Sequence, residues 1–80
     1  MTEQEAWETV RAAVQQIAPE IDPSDLVEDA RLRQDLELDS LDFLRLLETV
    51  VQQTGVDIPE DAYSEVGTVK GLVHYVTTHS

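Results

Sequence analysis

Ser40 has the clearest chemical prospect in this chain. It stands in the run Asp35-Leu36-Glu37-Leu38-Asp39-Ser40-Leu41-Asp42, directly before an amphipathic segment. A serine in that place is ordinarily a helix cap. Asp39 or Ser40 could fill the role here, and replacing such a cap by alanine costs about 1 kcal/mol. A helix start also suits a phosphate ester, because free backbone N–H groups and the positive end of the helix dipole stabilise a phosphodiester there. Asp39 and Asp42 oppose an anion at this point, so they need another reason to be present. A basic partner protein, steered onto Ser40 by those acids, is such a reason. Leu41 falls on the polar side of the same helix, where its burial requires a partner.

Other chemistry is thin. A calcium loop beginning at Asp35 would place Ser40 where an EF-hand needs glycine and Leu46 where it needs the bidentate glutamate. Leucine cannot ligate a cation, so only weak cation association with an acidic surface is expected. His74 and His79 are spaced so that one helix does not aim them at one metal, and they read as solvated. No acid–base pair or nucleophile triad emerges from the spacing. Neither a catalytic residue nor a metal site is expected.

The elements that must position Ser40 follow from periodicity. From Glu3 to Ala18, residues Ala6, Trp7, Val10, Ala13, Val14, Ile17 and Ala18 share one face, and Thr2 with Glu5 has capping-box spacing. Pro19 ends that helix. Glu20 to Asp39 has no sustained period but carries apolar anchors at Ile21, Leu26, Val27, Leu32, Leu36 and Leu38. It reads as a long loop packed on the core, with a helical turn near Ser24; such loops tend to be functional. The second helix starts at Asp39 or Ser40 and runs to Thr54, with Gly55 as its left-handed cap. Phe43, Leu44, Leu46, Leu47, Val50 and Val51 form its apolar face. Ile58-Pro59 predicts an extended step, then a helix of five or six residues with Pro59 in its first position. Thr68 caps the last helix, in which Gly71 costs about 1 kcal/mol against alanine unless close packing requires it. The fold class is all-α: a small four-helix bundle, three longer helices plus one short, with a long first loop. Residues 1–80 form a single domain.

Composition narrows the class. Seventeen acids against five bases give a formal charge of −12, which argues against nucleic acid and against an anionic membrane surface. The chain has no cysteine, hence no disulfide, thiolate metal site or cysteine nucleophile. No apolar run reaches the roughly 20 residues of a membrane span, and the acidic N-terminus is unlike a targeting peptide. With 41 % hydrophobic residues the chain is too apolar for a disordered acidic tail. A soluble cytoplasmic monomer is expected, and Met1 with the compact ends suggests a free-standing protein.

At this point the chain resembles an acyl carrier protein. Asp35-Leu36-x-Leu38-Asp39-Ser40-Leu41-Asp42 is similar to that family's signature. The first helix, the long loop, the helix ending at Gly55, the Ile58-Pro59 step and the Thr68-Val69 helix start match in order. The resemblance implies that a phosphopantetheinyl transferase esterifies Ser40 with the 4′-phosphopantetheine arm of coenzyme A. The thiol of that arm carries acyl groups as thioesters, and the protein itself does no catalysis. It also implies an acyl cleft, for which Leu44, Leu46, Leu47, Ile58, Tyr63 and Val66 are candidates. The implied partner face is Asp39, Leu41, Asp42, Arg45 and Glu48. Acyl-activating, acyltransferase or ketosynthase-type enzymes with basic patches would dock there.

The departures carry information. Glu37 stands where the family usually has glycine, which matters if the backbone there is left-handed. Arg45, Val51 and Gln52 replace acids usual in common bacterial fatty-acid carriers, and Glu48 replaces a usual hydrophobic contact. Arg45 should repel a basic patch built for an acid. Tyr63 adds bulk where a small residue is frequent, implying a narrower or shorter cleft. A specialised fatty-acid, polyketide or lipid-modifying pathway is therefore expected. An aminoacyl, D-alanyl or peptidyl carrier, or a non-carrier interaction module of the same fold, remain as alternatives.

Overall fold

In the computed structural model, which describes residues 1–80, three α-helices enclose one core: α1 (Glu3–Ile17), α2 (Ser40–Thr54) and α3 (Val69–His79). Helix α1 packs against both of the others. Its start is a full capping box. The Thr2 hydroxyl accepts the Glu5 N–H at 3.1 Å and the Glu5 carboxylate accepts the Thr2 N–H at 2.9 Å. Ala6, Val10, Ala13 and Val14 are buried on one stripe. Trp7 and Ile17 pack against the edge of the core, and the Arg11 guanidinium lies 5.6 Å from the centre of the Trp7 ring. The helix ends within a residue of the expected boundary.

Every buried residue is hydrophobic, and no buried side-chain N or O lacks a partner. With no buried polar side chain left to satisfy, the three apolar stripes hold the helices to one another by burial. From α2 come Phe43, Leu46, Leu47 and Val50; from α3 come Val69, Leu72, Val73, Tyr75 and Val76. Gly55 closes α2 with φ +74°, the left-handed cap the sequence predicts.

The long connection from α1 to α2 belongs to this core. After a 3₁₀ turn at Pro23–Asp25, Leu26, Ala30, Leu32, Leu36 and Leu38 are all buried. Its backbone pairs with the chain entering α3: Leu32 N–H donates to the Gly67 carbonyl at 2.9 Å, Val69 N–H to Ala30 at 3.0 Å and Lys70 N–H to Glu28 at 3.0 Å. An isolated antiparallel bridge, Arg31 with Thr68, marks the pairing. Val27, read as an anchor, is instead 56 % exposed, and Ala30 takes the buried place. Ala30 N–H donates to the Val27 carbonyl at 3.1 Å, closing a turn that opens at Val27 on the surface and delivers Ala30 to the core, where its carbonyl accepts from Val69 N–H.

The short helix expected after Pro59 is only a 3₁₀ turn, Glu60–Ala62. Bonds from Tyr63 N–H to Glu60, Glu65 N–H to Ala62 and Val66 N–H to Tyr63 continue the three-residue spacing, so no α-helical turn forms. Pro59 lies before the turn with ψ 159° and supplies no side-chain cap. A helix that short has too few bonds to offset its nucleation cost, and the Gly67 carbonyl is already held by Leu32. The molecule is all-α as expected, with a 3₁₀ turn in the fourth place.

Gly71 shows why α3 tolerates a glycine in its first turn. A Cβ there would fall well inside contact distance of the Glu65 carbonyl oxygen and 3.1 Å from the Thr68 hydroxyl that caps the helix. Overpacking of this kind costs about 1–3 kcal/mol, more than the roughly 1 kcal/mol of helix propensity that alanine offers. Gly71→Ala should therefore lower stability in urea unfolding. An unchanged or raised midpoint would mean that the Glu65 backbone yields freely.

Candidate functional site

The segment leading into α2 is a closed turn. Asp35 N–H and Leu36 N–H both donate to the Arg31 carbonyl, at 2.9 and 3.1 Å, and Leu38 N–H donates to Leu32 at 3.3 Å. The Asp35 side chain braces the same turn. It accepts from Arg31 N–H at 2.8 Å, from Nε at 3.1 Å and from Nη2 at 3.1 Å. These bonds to Arg31 hold the Asp35 carboxyl below its ordinary range, and Asp35 in turn raises Arg31. Both side chains are largely in water, so the pair guides geometry more than it adds stability.

Glu37 sits at φ +58°, the one non-glycine residue in the left-handed region. Its neighbours Leu36 and Leu38 are 7 % and 4 % exposed. The left-handed residue lies where the chain leaves the turn closed on the Arg31 and Leu32 carbonyls and heads for the cap of α2. This is the backbone conformation for which glycine would be suited.

Asp39 is the N-cap of α2, its carboxylate accepting the Asp42 N–H at 2.8 Å. Ser40 is the first helical residue and does no capping. Its side chain is exposed, and its Oγ accepts from Arg33 Nη2 at 3.0 Å. The backbone N–H groups of Ser40 and Leu41 have no protein partner and lie at the positive end of the helix dipole. Leu41 is 61 % exposed beside the serine. Arg45 and Glu48 are exposed further along the helix, and Asp42 is half-buried. Arg45 and Glu48 also border a shallow depression with Gln16, Ile17, Thr49 and Gln52.

A second depression, of about 350 Å³, opens between α2 and the Ile58–Tyr63 segment. Leu44, Leu47, Val51, Ile58 and Tyr63 form its apolar wall, with Glu48, Gln52 and Asp57 at the rim. Tyr63 meets Phe43 edge to face, with ring centroids 5.9 Å apart at 89°. Of the residues expected to line a cleft, Leu44, Leu47, Ile58 and Tyr63 do line this one. Leu46 and Val66 do not, because both are fully enclosed in the core. The histidines are apart: His79 stacks on Tyr75, with ring centroids 4.0 Å apart, and its Nδ1 lies 2.9 Å from the Tyr75 carbonyl. His74 borders a small pocket with Glu3, Trp7 and Glu28.

An exposed hydroxyl with a guanidinium at hydrogen-bond distance is a setting that accommodates a phosphodiester. A family model described as "phosphopantetheine attachment site" matches residues 8–76. The acyl carrier protein of Zymomonas mobilis is 39 % identical over 59 residues, covering 74 % of this chain and 76 % of that protein. The chain belongs to the acyl carrier proteins. That of Rubrobacter xylanophilus is 36 % identical over 59 residues, covering 74 % of this chain and 73 % of its own length. A solved acyl carrier protein structure from Enterococcus faecalis shares the fold at TM-score 0.79 and 20 % identity, over the whole of both chains. As a family member this protein is a carrier without catalysis of its own, and its prosthetic group is covalent 4′-phosphopantetheine.

Sequence reasoning missed Arg33. The signal available was its charge, since only five basic residues stand among seventeen acids. Its proximity to Ser40 depends on the closed turn, which has no periodic signature. The strain within that turn is testable. Glu37→Gly and Glu37→Ala remove the same charge, but only glycine relieves the left-handed φ, so the glycine variant should be more stable than the alanine variant by about 1 kcal/mol in urea unfolding. Equal midpoints would mean that position 37 is not strained.

Proposed function

We propose that Ser40 carries the 4′-phosphopantetheine arm and that the outer face of α2 is read by the enzymes the carrier serves. The observation that carries this is the position of Ser40: first in the helix, exposed, and relieved of capping by Asp39. In loading, Ser40 Oγ forms the ester bond to phosphorus in the pyrophosphate of coenzyme A. The bond to the adenosine bisphosphate breaks, and the hydroxyl proton passes to a base of the phosphopantetheinyl transferase. When bound, the arm supplies the thiol on which acyl groups ride as thioesters.

This chain's residues then present the cargo. Asp39, Leu41, Asp42, Arg45 and Glu48 form the partner-binding face. Its acidic end steers enzymes with basic patches, and Leu41, exposed between Asp39 and Asp42, offers an apolar contact there. Leu44, Leu47, Ile58 and Tyr63 receive the acyl chain in the depression they line, and Leu46 and Val66 stay enclosed in the core. Arg45, exposed on this face, sets a positive charge where a basic patch would meet it, which disfavours enzymes that expect an acid. Tyr63, braced by Phe43, limits the depression. These two residues support service to a specialised fatty-acid, polyketide or lipid-modifying pathway, through acyl-activating, acyltransferase or ketosynthase-type enzymes. A charge of −12 keeps copies apart, which supports a monomer, and no helix is long and apolar enough to cross a membrane. We read the cytoplasm as its place of work.

Intact mass after incubation with coenzyme A and a broad-specificity phosphopantetheinyl transferase tests the assignment. Wild type should gain one phosphopantetheine and Ser40→Ala none. Equal gain in both, or no gain in folded apo wild type, would overturn it.

A further inference from the structure

Arg33 stands out among the charges of this surface. The chain has seventeen acids and five basic residues. Arg31 pairs with Asp35, and Arg11 lies over Trp7. Arg33, like Arg11, Arg45 and Lys70, has no carboxylate partner; what sets it apart is that its guanidinium reaches the Ser40 hydroxyl instead. Its one side-chain hydrogen bond runs from Nη2 to Ser40 Oγ at 3.0 Å, a normal N–H···O length. The remaining guanidinium donors are unused by the protein and sit beside the hydroxyl.

We propose that Arg33 is a phosphate-binding positioning residue: its guanidinium, resting on Ser40 Oγ in the unloaded protein, pairs with the phosphodiester once the arm is attached. The inference rests on the assignment of Ser40 as the attachment residue. The charge balance calls for such a residue. Loading adds a negative charge beside Asp39 and Asp42, in a chain already at −12. A guanidinium within reach offsets that repulsion, and its planar fork can engage two phosphate oxygens at once, which a lysine cannot do. The closed turn from Arg31 to Leu38 is what returns Arg33 to the helix start. The expected consequence is an arm whose base is held against the loop while the thiol end stays free to move.

The test uses protein loaded at Ser40 and verified by intact mass. The side-chain Nε–H signals of the arginines are recorded in apo and loaded wild type, which needs no variant to fold. The phosphorus-31 line is then compared among loaded wild type, Arg33→Gln, Arg33→Lys and Arg11→Gln. Arg33 should shift on loading by more than Arg11. The phosphorus line should move in Arg33→Gln, move less in Arg33→Lys, and stay in place in Arg11→Gln. The wild-type to Arg33→Gln difference should shrink at 1 M salt, where screening acts within about 3 Å. Loaded wild type whose Arg33 signal matches the apo form, with an unmoved phosphorus line in Arg33→Gln, overturns this inference and leaves Ser40 standing. Failure of wild type to load overturns both.

Discussion

A helix leaves its first backbone N–H groups without helical partners, and the way α3 meets that need organises the rest of this molecule. Val69 N–H goes to Ala30, Lys70 N–H to Glu28 and Gly71 N–H to the Thr68 hydroxyl. Two of the three partners come from the long loop. The loop receives something in return: Leu32 N–H is satisfied by Gly67. Backbone groups of a buried loop would otherwise be costly, because each unpaired one carries a desolvation penalty of about 1–3 kcal/mol. The α1–α2 connection is thus fixed to α3 at its middle, and the leucines on either side of that point are drawn into the core.

Fixing the loop there dictates how it must enter α2. From Leu32 the chain has to place Leu36 and Leu38 inside and still deliver Asp39 as a cap. It does so by closing on itself through the Arg31 and Leu32 carbonyls and by bending through the left-handed region at Glu37. Ser40 emerges from this as an exposed first helical residue on a rigid element. The same bend sets Arg33 against its hydroxyl. With the arm on Ser40 as proposed, the core and loop supply its base.

Much of this was legible in the sequence, and the reasons differ by element. The three α-helices announced themselves because their buried stripes repeat at 3.6 residues, and Thr2, Gly55 and Thr68 mark ends by local chemistry that needs no tertiary context. The exposure of Leu41 followed from the same wheel. The close approach at Gly71 was signalled by a glycine where propensity disfavours one. What stayed hidden depends on contacts distant in sequence. Ala30 replaces Val27 in the core because a turn closed by Ala30 N–H on the Val27 carbonyl, and held to α3 through Glu28 and Ala30, leaves Val27 outside. The segment after Pro59 remains a 3₁₀ turn because its end is held elsewhere. Leu46 looked equivalent to Leu44 and Leu47 on a helical wheel, yet only the packing of neighbours decides which leucines line an opening. Asp39 rather than Ser40 as the cap could not be chosen from residue types, since both are good caps.

The central claim is that the loop is a structured part of the fold whose attachment to α3 sets Ser40 in place. Amide hydrogen exchange measures it directly. The N–H groups of Leu32, Val69 and Lys70 should be protected to the same degree as the buried turns of α1, exchanging only when the whole domain opens. If Leu32 and Lys70 exchange at the rate of an open loop while α1 remains protected, the loop is not anchored. The account of how this carrier presents its serine would then be wrong.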